Sequence, residues 1–289
     1  RIIVLKKNKI GILLPALPGY SETFLRSKIK GLLDSGYKIS LFINSVKKSD
    51  VFDFSVPIYN QVNINNYYFL PITLVSVFLK SPFRVFKFIN LEINVGHKWL
   101  TILKNIILNS HIMNKQLDWI HFEFATMGIN RENIAQAIGA KAAVSFRGFD
   151  VCLFPHKHNK PFNILWNTID KVHSISDDLY SNALNLGLHP KVPMTKIRPA
   201  IEIEKFTISE IQDLQDPIRI LSVGSLVWKK GFEYALNAVK LLKARGVKFE
   251  YRIIGEGNYR ESLIYTIDKL ELNNEVSLIG SISHKEVKN

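Results

Sequence analysis

The strongest chemical signal in the sequence is a pair of glycine-containing segments that each follow an apolar run. Gly224 permits a tight turn after the first run, and Lys230 places an ammonium beside the predicted start of a helix, where backbone N–H groups are free. A second segment follows the run that ends at Ile254. Together the two segments offer backbone N–H groups and an ammonium that can bind a diphosphate. The residues that we expect to bind it are Gly224, Ser225, Lys230, Gly255, Glu256 and Gly257.

Three further segments place polar side chains where apolar runs end. His121 and Glu123 share one strand face by period-two alternation, although a lone strand-end histidine is more often structural. Arg147 can hold an anion and Asp150 can accept sugar hydroxyls, with a local salt bridge as the alternative. The third segment can bind a ligand through its backbone or simply form a turn before a helix. Its candidate residues are Gly19, Ser21, Glu22 and Thr23.

Other chemistries fit the sequence less well. The Gly255 to Gly257 segment lacks the third glycine of the dinucleotide fingerprint, which disfavours a nicotinamide cofactor. The single cysteine, Cys152, excludes an intrachain disulfide and a cysteine-rich zinc site. His156 and His158 have no cysteine or carboxylate close by, so we interpret them as loop residues. We therefore expect no metal site and no obligatory cofactor.

Short apolar runs alternate with helical patterns along the chain, which is typical of βαβ units around a parallel sheet. Residues 50–115 fit one or two amphipathic helices. Ser176 can cap the helix that follows it. The predicted strands are 10–15, 38–44, 117–124, 142–146, 171–175, 195–198, 219–223, 248–254 and 275–279. The other predicted helices are 22–35 after a Ser21 cap, 129–138, 177–186, 232–244 and 259–270.

This pattern predicts an α/β chain of two Rossmann-like lobes. The first spans 1–205 and the second 217–289, with the linker in the acidic, weakly patterned segment 202–216. The second lobe is too short for a complete doubly wound domain, since each βα unit takes about 30 residues. Because the sequence also begins with Arg1 in place of Met, we expect both ends to be trimmed from a longer protein.

The formal net charge of +13 is concentrated in the first part of the chain. Residues 1–120 hold 16 Lys or Arg against 6 Asp or Glu, and the remainder holds 22 against 19. Phospholipid headgroups, a phosphorylated acceptor or nucleic acid can each match a basic surface, and a merely solvated surface is the alternative. Nucleic acid is disfavoured, because the basic residues lie in apolar helical stretches without a stacking platform.

No signal sequence or membrane span is evident in the hydropathy pattern. The longest uncharged apolar run, 67–79, is shorter than the roughly 20 residues that a spanning helix needs. We therefore expect a soluble, cytoplasmic protein. The basic amphipathic stretch within 50–115 favours contact with the inner face of the cell membrane, with packing on the sheet as the commoner explanation.

With these segments assembled, the chain resembles the family 4 retaining glycosyltransferases of GT-B fold, in particular those of colanic-acid and exopolysaccharide biosynthesis. The Gly224 to Phe232 segment with Gly255 to Gly257 is similar to the family's donor-diphosphate lobe. His121 matches a strand-end histidine near the transferred sugar. The remaining similar segments are 19–24 on the acceptor side, 147–150, 174–187, 196–198 and 201–206.

The resemblance implies transfer of a hexose from a nucleotide diphosphate sugar to a saccharide or lipid-linked acceptor, with retention at the anomeric carbon. His121 would orient the sugar and act in catalysis. Ser225 stands where the family usually has arginine, and the family's pair of glutamates seven residues apart is expected beyond Asn289. A truncated, non-catalytic module that binds an anionic acceptor or a membrane is the alternative.

Overall fold

The computed structural model describes residues 8–18, 23–45, 54–63, 70–199 and 216–282. It divides into two compact units, Arg1–Ile201 and Glu202–Asn289. In both units the described strands form a parallel sheet with helices packed against it. The predicted α/β class is confirmed.

The first unit is a seven-stranded sheet in which every pairing is parallel. The strand order is β3-β2-β1-β4-β5-β6-β7, so β2 and β3 lie on one side of β1 and β4 to β7 lie on the other. The order of strands therefore reverses between β1 and β4. Ligands of open α/β sheets bind at such a reversal, outside the carboxyl ends of the strands. The strands are β1 Lys9–Leu14, β2 Lys38–Ile43, β3 Ile58–Asn60, β4 Trp119–Phe122, β5 Lys141–Phe146, β6 Lys171–Ser174 and β7 Met194–Lys196.

Seven helices accompany this sheet in the described part of the first unit. They are α1 Thr23–Asp34, α2 Leu70–Lys80, α3 Pro82–Asn94, α4 Trp99–Met113, α5 Ile134–Ile138, α6 Asn163–Trp166 and α7 Asp177–Asn185. Helices α2 to α7 pack on the sheet face that carries Leu13, Ile120 and Phe122. Helix α1 covers the other face at Ile12 and Leu14. Alternating residues of one strand thus serve two separate cores.

The second unit has three parallel strands in the order β10-β9-β8, with two helices. The elements are β8 Ile218–Val223, α8 Phe232–Ala244, β9 Phe249–Ile254, α9 Arg260–Lys269 and β10 Val276–Gly280. Its core joins Leu236 and Val239 of α8, Leu263 of α9 and Tyr251 of β9. The predicted elements of this unit are confirmed to within one residue at each end.

Two predictions for the first unit were wrong in detail, and the short elements β3 and α6 were not predicted. Residues 70–113 form three helices, and not one or two, because Pro82 begins a new helix and Gly96, with φ of 84°, ends it. The predicted helix 129–138 shrinks to α5, because Asn130 has a left-handed φ of 63°. The Ser176 cap is confirmed: its hydroxyl accepts the Leu179 N–H at 3.2 Å. No helix within the described ranges is both long and apolar enough to cross a bilayer.

Candidate functional site

His121 lies on β4 at the carboxyl edge of the first sheet, on the face opposite the main core. The parallel register sets it beside Ile12 of β1 and Ala143 of β5. Its Nε2 atom is 2.7 Å from the Ser145 hydroxyl and 3.1 Å from the Lys28 ammonium. Burial, followed by the charge of Lys28, lowers the pKa of His121 to about 3. The imidazole is therefore neutral at physiological pH.

Glu123, the residue after β4, is a fully buried carboxylate between two cations. One oxygen accepts a hydrogen bond from the Lys28 ammonium, and the other accepts from Arg147 Nη2 at 2.8 Å. Burial alone would raise the pKa of Glu123, but His121, which is protonated below about pH 3, together with Lys28 and Arg147 outweighs it and holds the pKa to about 2. Glu123 stays ionised, and it fixes the lysine beside His121.

Ser145 joins two imidazoles of neighbouring strands. Its hydroxyl lies 2.7 Å from His121 Nε2 and 2.9 Å from His173 Nδ1, and the other ring nitrogen of His173 donates to the Ile197 carbonyl at 2.9 Å. Burial lowers the pKa of His173, so this imidazole is neutral as well. A carbonyl only accepts, so the proton of neutral His173 lies on Nε2, and Ser145 donates to Nδ1. The Ser145 hydroxyl and the Lys28 ammonium, which only donates, both lie within hydrogen-bond distance of His121 Nε2.

Arg147 and Asp150, which follow β5, turn in different directions. The Arg147 guanidinium lies 4.3 Å from the centre of the Phe24 ring and reaches Glu123. Asp150 is fully buried, and its oxygens accept the backbone N–H groups of Ala125, Arg147 and Gly148 at 3.0 Å each. Its carboxylate thus holds the loop that aims Arg147. A role toward sugar hydroxyls stays a prediction for Asp150.

A cavity of about 670 Å³ opens beside this group, which we call the histidine cluster: Lys28, His121, Glu123, Ser145, Arg147 and His173. Lys28, His121, Arg147 and His173 contribute to its lining, and Ile10, Leu32 and Trp119 supply apolar walls. Gly19, Ser21 and Glu22 lie outside the described residues, as does the side chain of Thr23. The predicted closure of the acceptor side by that loop stays a prediction.

Three members of the cluster were missed in the sequence. Lys28 occurs inside a helix, where a lysine is usually solvated, and no local pattern aims it at the sheet. Ser145 does carry a signal, because it is a polar residue at a buried position of the largely apolar strand β5, whereas His173 lies in a strand of mixed polarity. Such positions rarely hold polar side chains without a partner.

In the second unit the predicted binding residues meet at the carboxyl ends of β8 and β9. Backbone hydrogen bonds join the two loops: Gly224 donates to Ile254 at 2.9 Å and Leu226 donates to Glu256 at 2.9 Å. Gly255 in turn donates to Gly280, after β10, at 2.9 Å. The three loops therefore form one edge.

Lys230 lies on this edge immediately before α8 and is exposed to solvent. Gly231, with φ of 69°, is the N-cap of that helix, so the first N–H groups of α8 follow directly on the lysine. Ser225 is exposed, as are Glu256 and Gly257. An ammonium beside a helix N-terminus is an arrangement that suits a phosphate group.

Other residues considered for chemistry have local partners. His158 stacks on Phe154 with 4.0 Å between ring centres, and the Cys152 thiol accepts from Asn182 at 3.3 Å. Among the described residues, no three His, Cys, Asp or Glu side chains lie close enough together to share a metal ion.

Comparisons with known proteins identify what these sites resemble. Residues 204–289 match the family model described as "Glycosyl transferases group 1". The chain is 30% identical over 171 residues to the amylovoran biosynthesis glycosyltransferase AmsK of Erwinia amylovora, covering 58% of this chain and 42% of that protein. It is 23% identical over 300 residues to the putative colanic acid biosynthesis glycosyltransferase WcaL of Escherichia coli strain K12, covering 97% and 72%. The chain thus spans less than half of the first relative's length.

Solved structures show the same fold. HepE of Anabaena, crystallised with UDP and glucose, superposes with a TM-score of 0.62 at 13% identity, over 95% of this chain and 70% of that one. The lipopolysaccharide outer core galactosyltransferase WaaB superposes with a TM-score of 0.61 at 14% identity, over 97% and 72%. The fold is that of GT-B glycosyltransferases, which confirms the prediction of Rossmann-like lobes.

Proposed function

We propose that this chain is part of a retaining, family 4 glycosyltransferase of exopolysaccharide biosynthesis that uses a nucleotide diphosphate sugar. The observation that carries the proposal is the edge formed by the loops after β8, β9 and β10, with Lys230 at the start of α8. This edge lies within the residues that match the glycosyl transferases group 1 model. HepE, of the same fold, was crystallised with UDP and glucose, which supports a nucleotide sugar as the ligand.

The chemistry of this donor explains the residue types at that edge. In the transfer, the bond between the anomeric carbon and the diphosphate breaks, a bond to an acceptor hydroxyl forms, and the hydroxyl proton is released. Negative charge builds on the departing diphosphate. Lys230 and the free N–H groups at the start of α8 would stabilise that charge, without an obligatory metal.

The histidine cluster is proposed to serve the sugar and acceptor side of the same reaction. A neutral His121 that lines the cavity can form a hydrogen bond with a sugar hydroxyl and orient it. Arg147 adds a cation beside it, which suits an anionic or lipid-linked saccharide acceptor. Transfer of a hexose, in the cytoplasm at the inner face of the cell membrane, belongs to this proposal.

The test replaces the proposed phosphate ligand in the full-length enzyme. We expect Lys230→Ala to lower transfer from UDP-glucose by two or more orders of magnitude, since each removed group that stabilises a charged transition state costs about 10²- to 10³-fold. Lys229→Ala is the matched control, because Lys229 is also exposed in the same turn. Near-normal turnover of Lys230→Ala would refute the assignment. Absence of nucleotide-sugar binding by the unmodified enzyme would favour a non-catalytic binding module.

A further inference from the structure

The helices α2, α3 and α4 carry an unusual number of apolar side chains in solvent. Phe83 is 88% exposed, Leu100 80% and Leu79 78%. Isolated exposed apolar residues are ordinary, but a contiguous group marks an interaction surface. The exposed apolar residues of these helices and the turn after α3 are Ile72, Val75, Leu79, Phe83, Phe86, Ile93, Val95, Trp99 and Leu100.

Helices α2, α3 and α4 pack on each other, so their exposed apolar side chains belong to one helical layer of the first unit. Ile72, Val75 and Leu79 recur along α2 at three and four residues apart, which places them on one stripe. On α3, Phe83 and Phe86 are three residues apart and Ile93 follows seven residues later, which is about two helical turns. The rings of Phe78 and Phe86, 6.1 Å apart, join the two helices. We call this surface the α2–α4 face.

The charge on the α2–α4 face has a single sign. Lys80, Lys87, Lys98 and Lys104 are all exposed. Glu92 is the only acidic residue between positions 70 and 115, and it is fully buried. Its oxygens are 2.7 Å from Asn105 Nδ2, 2.8 Å from Asn133 Nδ2 and 2.8 Å from His97 Nδ1. The exposed surface of these helices therefore holds cations and apolar groups without an acidic side chain.

We propose that the α2–α4 face docks on an anionic phospholipid bilayer. Apolar side chains with Trp99 among them enter the interface, and the surrounding lysines meet the phosphate groups. A second copy of this chain fits poorly, because a two-fold contact would set lysines of the two copies against each other. The inference does not depend on the transfer activity, since every residue that carries it lies outside the histidine cluster and the second unit.

Vesicle co-sedimentation tests the charge part of this proposal. The chain should bind vesicles of phosphatidylcholine with phosphatidylglycerol, bind phosphatidylcholine alone weakly, and dissociate in high salt. The variant Lys80→Glu with Lys87→Glu should bind the anionic vesicles at least about thirtyfold more weakly, because each lysine near such a surface contributes about fivefold. The matched control is Lys30→Glu with Lys38→Glu, an identical charge change at exposed positions of α1 and β2. Equal losses in both variants would overturn the proposal.

The apolar part has its own variant. Phe83→Ser with Leu100→Ser should weaken binding about tenfold or more, because the two side chains would lose their burial in the lipid interface. Leu241→Ser, an exposed position of α8, is the control and should bind normally. Circular dichroism verifies that each variant is folded. Absence of binding by the unmodified chain, or a dimer in sedimentation equilibrium that Phe83→Ser with Leu100→Ser abolishes, would overturn the proposal.

Discussion

Replacing Gly255 with alanine tests why the loop after β9 contains glycine. An added Cβ would lie 1.9 Å from the Gly224 carbonyl oxygen, far inside van der Waals contact. That oxygen has little room to yield, because the Gly224 N–H is bound to Ile254 at 2.9 Å. Gly255 also has φ of 150°, a backbone conformation that residues other than glycine rarely adopt. We therefore expect the fold itself to require this glycine.

Two other glycines separate the contributions. Gly246 has φ of 75° and no neighbour within 4 Å of an added Cβ, so Gly246→Ala should cost only the backbone strain of about 1–2 kcal/mol. Gly257 is outside the left-handed region, but its Cβ would lie 2.1 Å from the Leu226 oxygen, so Gly257→Ala should cost about 1–3 kcal/mol from overlap. Gly255→Ala combines both and should cost about 3–5 kcal/mol.

Hydrogen exchange measured by mass spectrometry reports the result within the second unit. Peptides from β9 and α8 give the free energy of local opening in the intact chain. We expect the free energy of local opening to fall most in Gly255→Ala and less in Gly257→Ala and Gly246→Ala. If the free energy of local opening fell no further in Gly255→Ala than in Gly246→Ala, the close approach of the two loops would be refuted. Unchanged exchange with lost binding of UDP-glucose would show that glycine serves the ligand alone.

Two predictions concern the histidine cluster. Glu123→Gln should destabilise the chain by about 3–5 kcal/mol near neutral pH, because it leaves Lys28 and Arg147 without their anion. The folded pKa of Glu123, about 2, lies below its ordinary value of 4.5, so the ionised carboxylate stabilises the fold above pH 4.5 and this contribution is lost as the pH falls toward 2. Urea unfolding at stepped pH should show the two chains converging in acid, and a difference that stays constant from pH 6 to pH 3 would contradict the assignment. Ser145→Ala should cost about 1–3 kcal/mol in urea unfolding and alter the ¹⁵N shifts that report the tautomer of His121, since it removes the hydroxyl that contacts two ring nitrogens. Ser110→Ala is the control, because that buried hydroxyl has no hydrogen-bond partner among the described residues, and equal costs in the two variants would argue against the bridge.

Most elements of both units could be predicted from the sequence because their signals are local, but the short strand β3 and the four-residue helix α6 were missed. Apolar runs indicated the strands, and residues that commonly end helices, such as glycine, indicated where the helices stop. Ser176 could be identified as a cap from its position before two aspartates. Predictions failed where the chain departs from a regular pattern, as at Asn130, whose left-handed backbone no flanking residue announces.

The edge of the second unit was equally accessible, since its glycines and Lys230 are close in sequence to the strands that position them. The close approach of Gly255 to Gly224 needed the structure, because it depends on the parallel pairing of β8 with β9. The sequence shows which residues are glycine. The pairing shows which carbonyl each one faces.

The histidine cluster was decided by tertiary structure. Its members come from α1, from β4, β5 and β6, and from the residues that directly follow β4 and β5, and only the strand order of the sheet makes them neighbours. Asp150 illustrates the same limit: as a carboxylate after a strand it can bind a ligand, yet three backbone N–H groups occupy it. Residue type and local spacing determine what a side chain can do. Burial and the partners that packing supplies decide which of those capacities it uses.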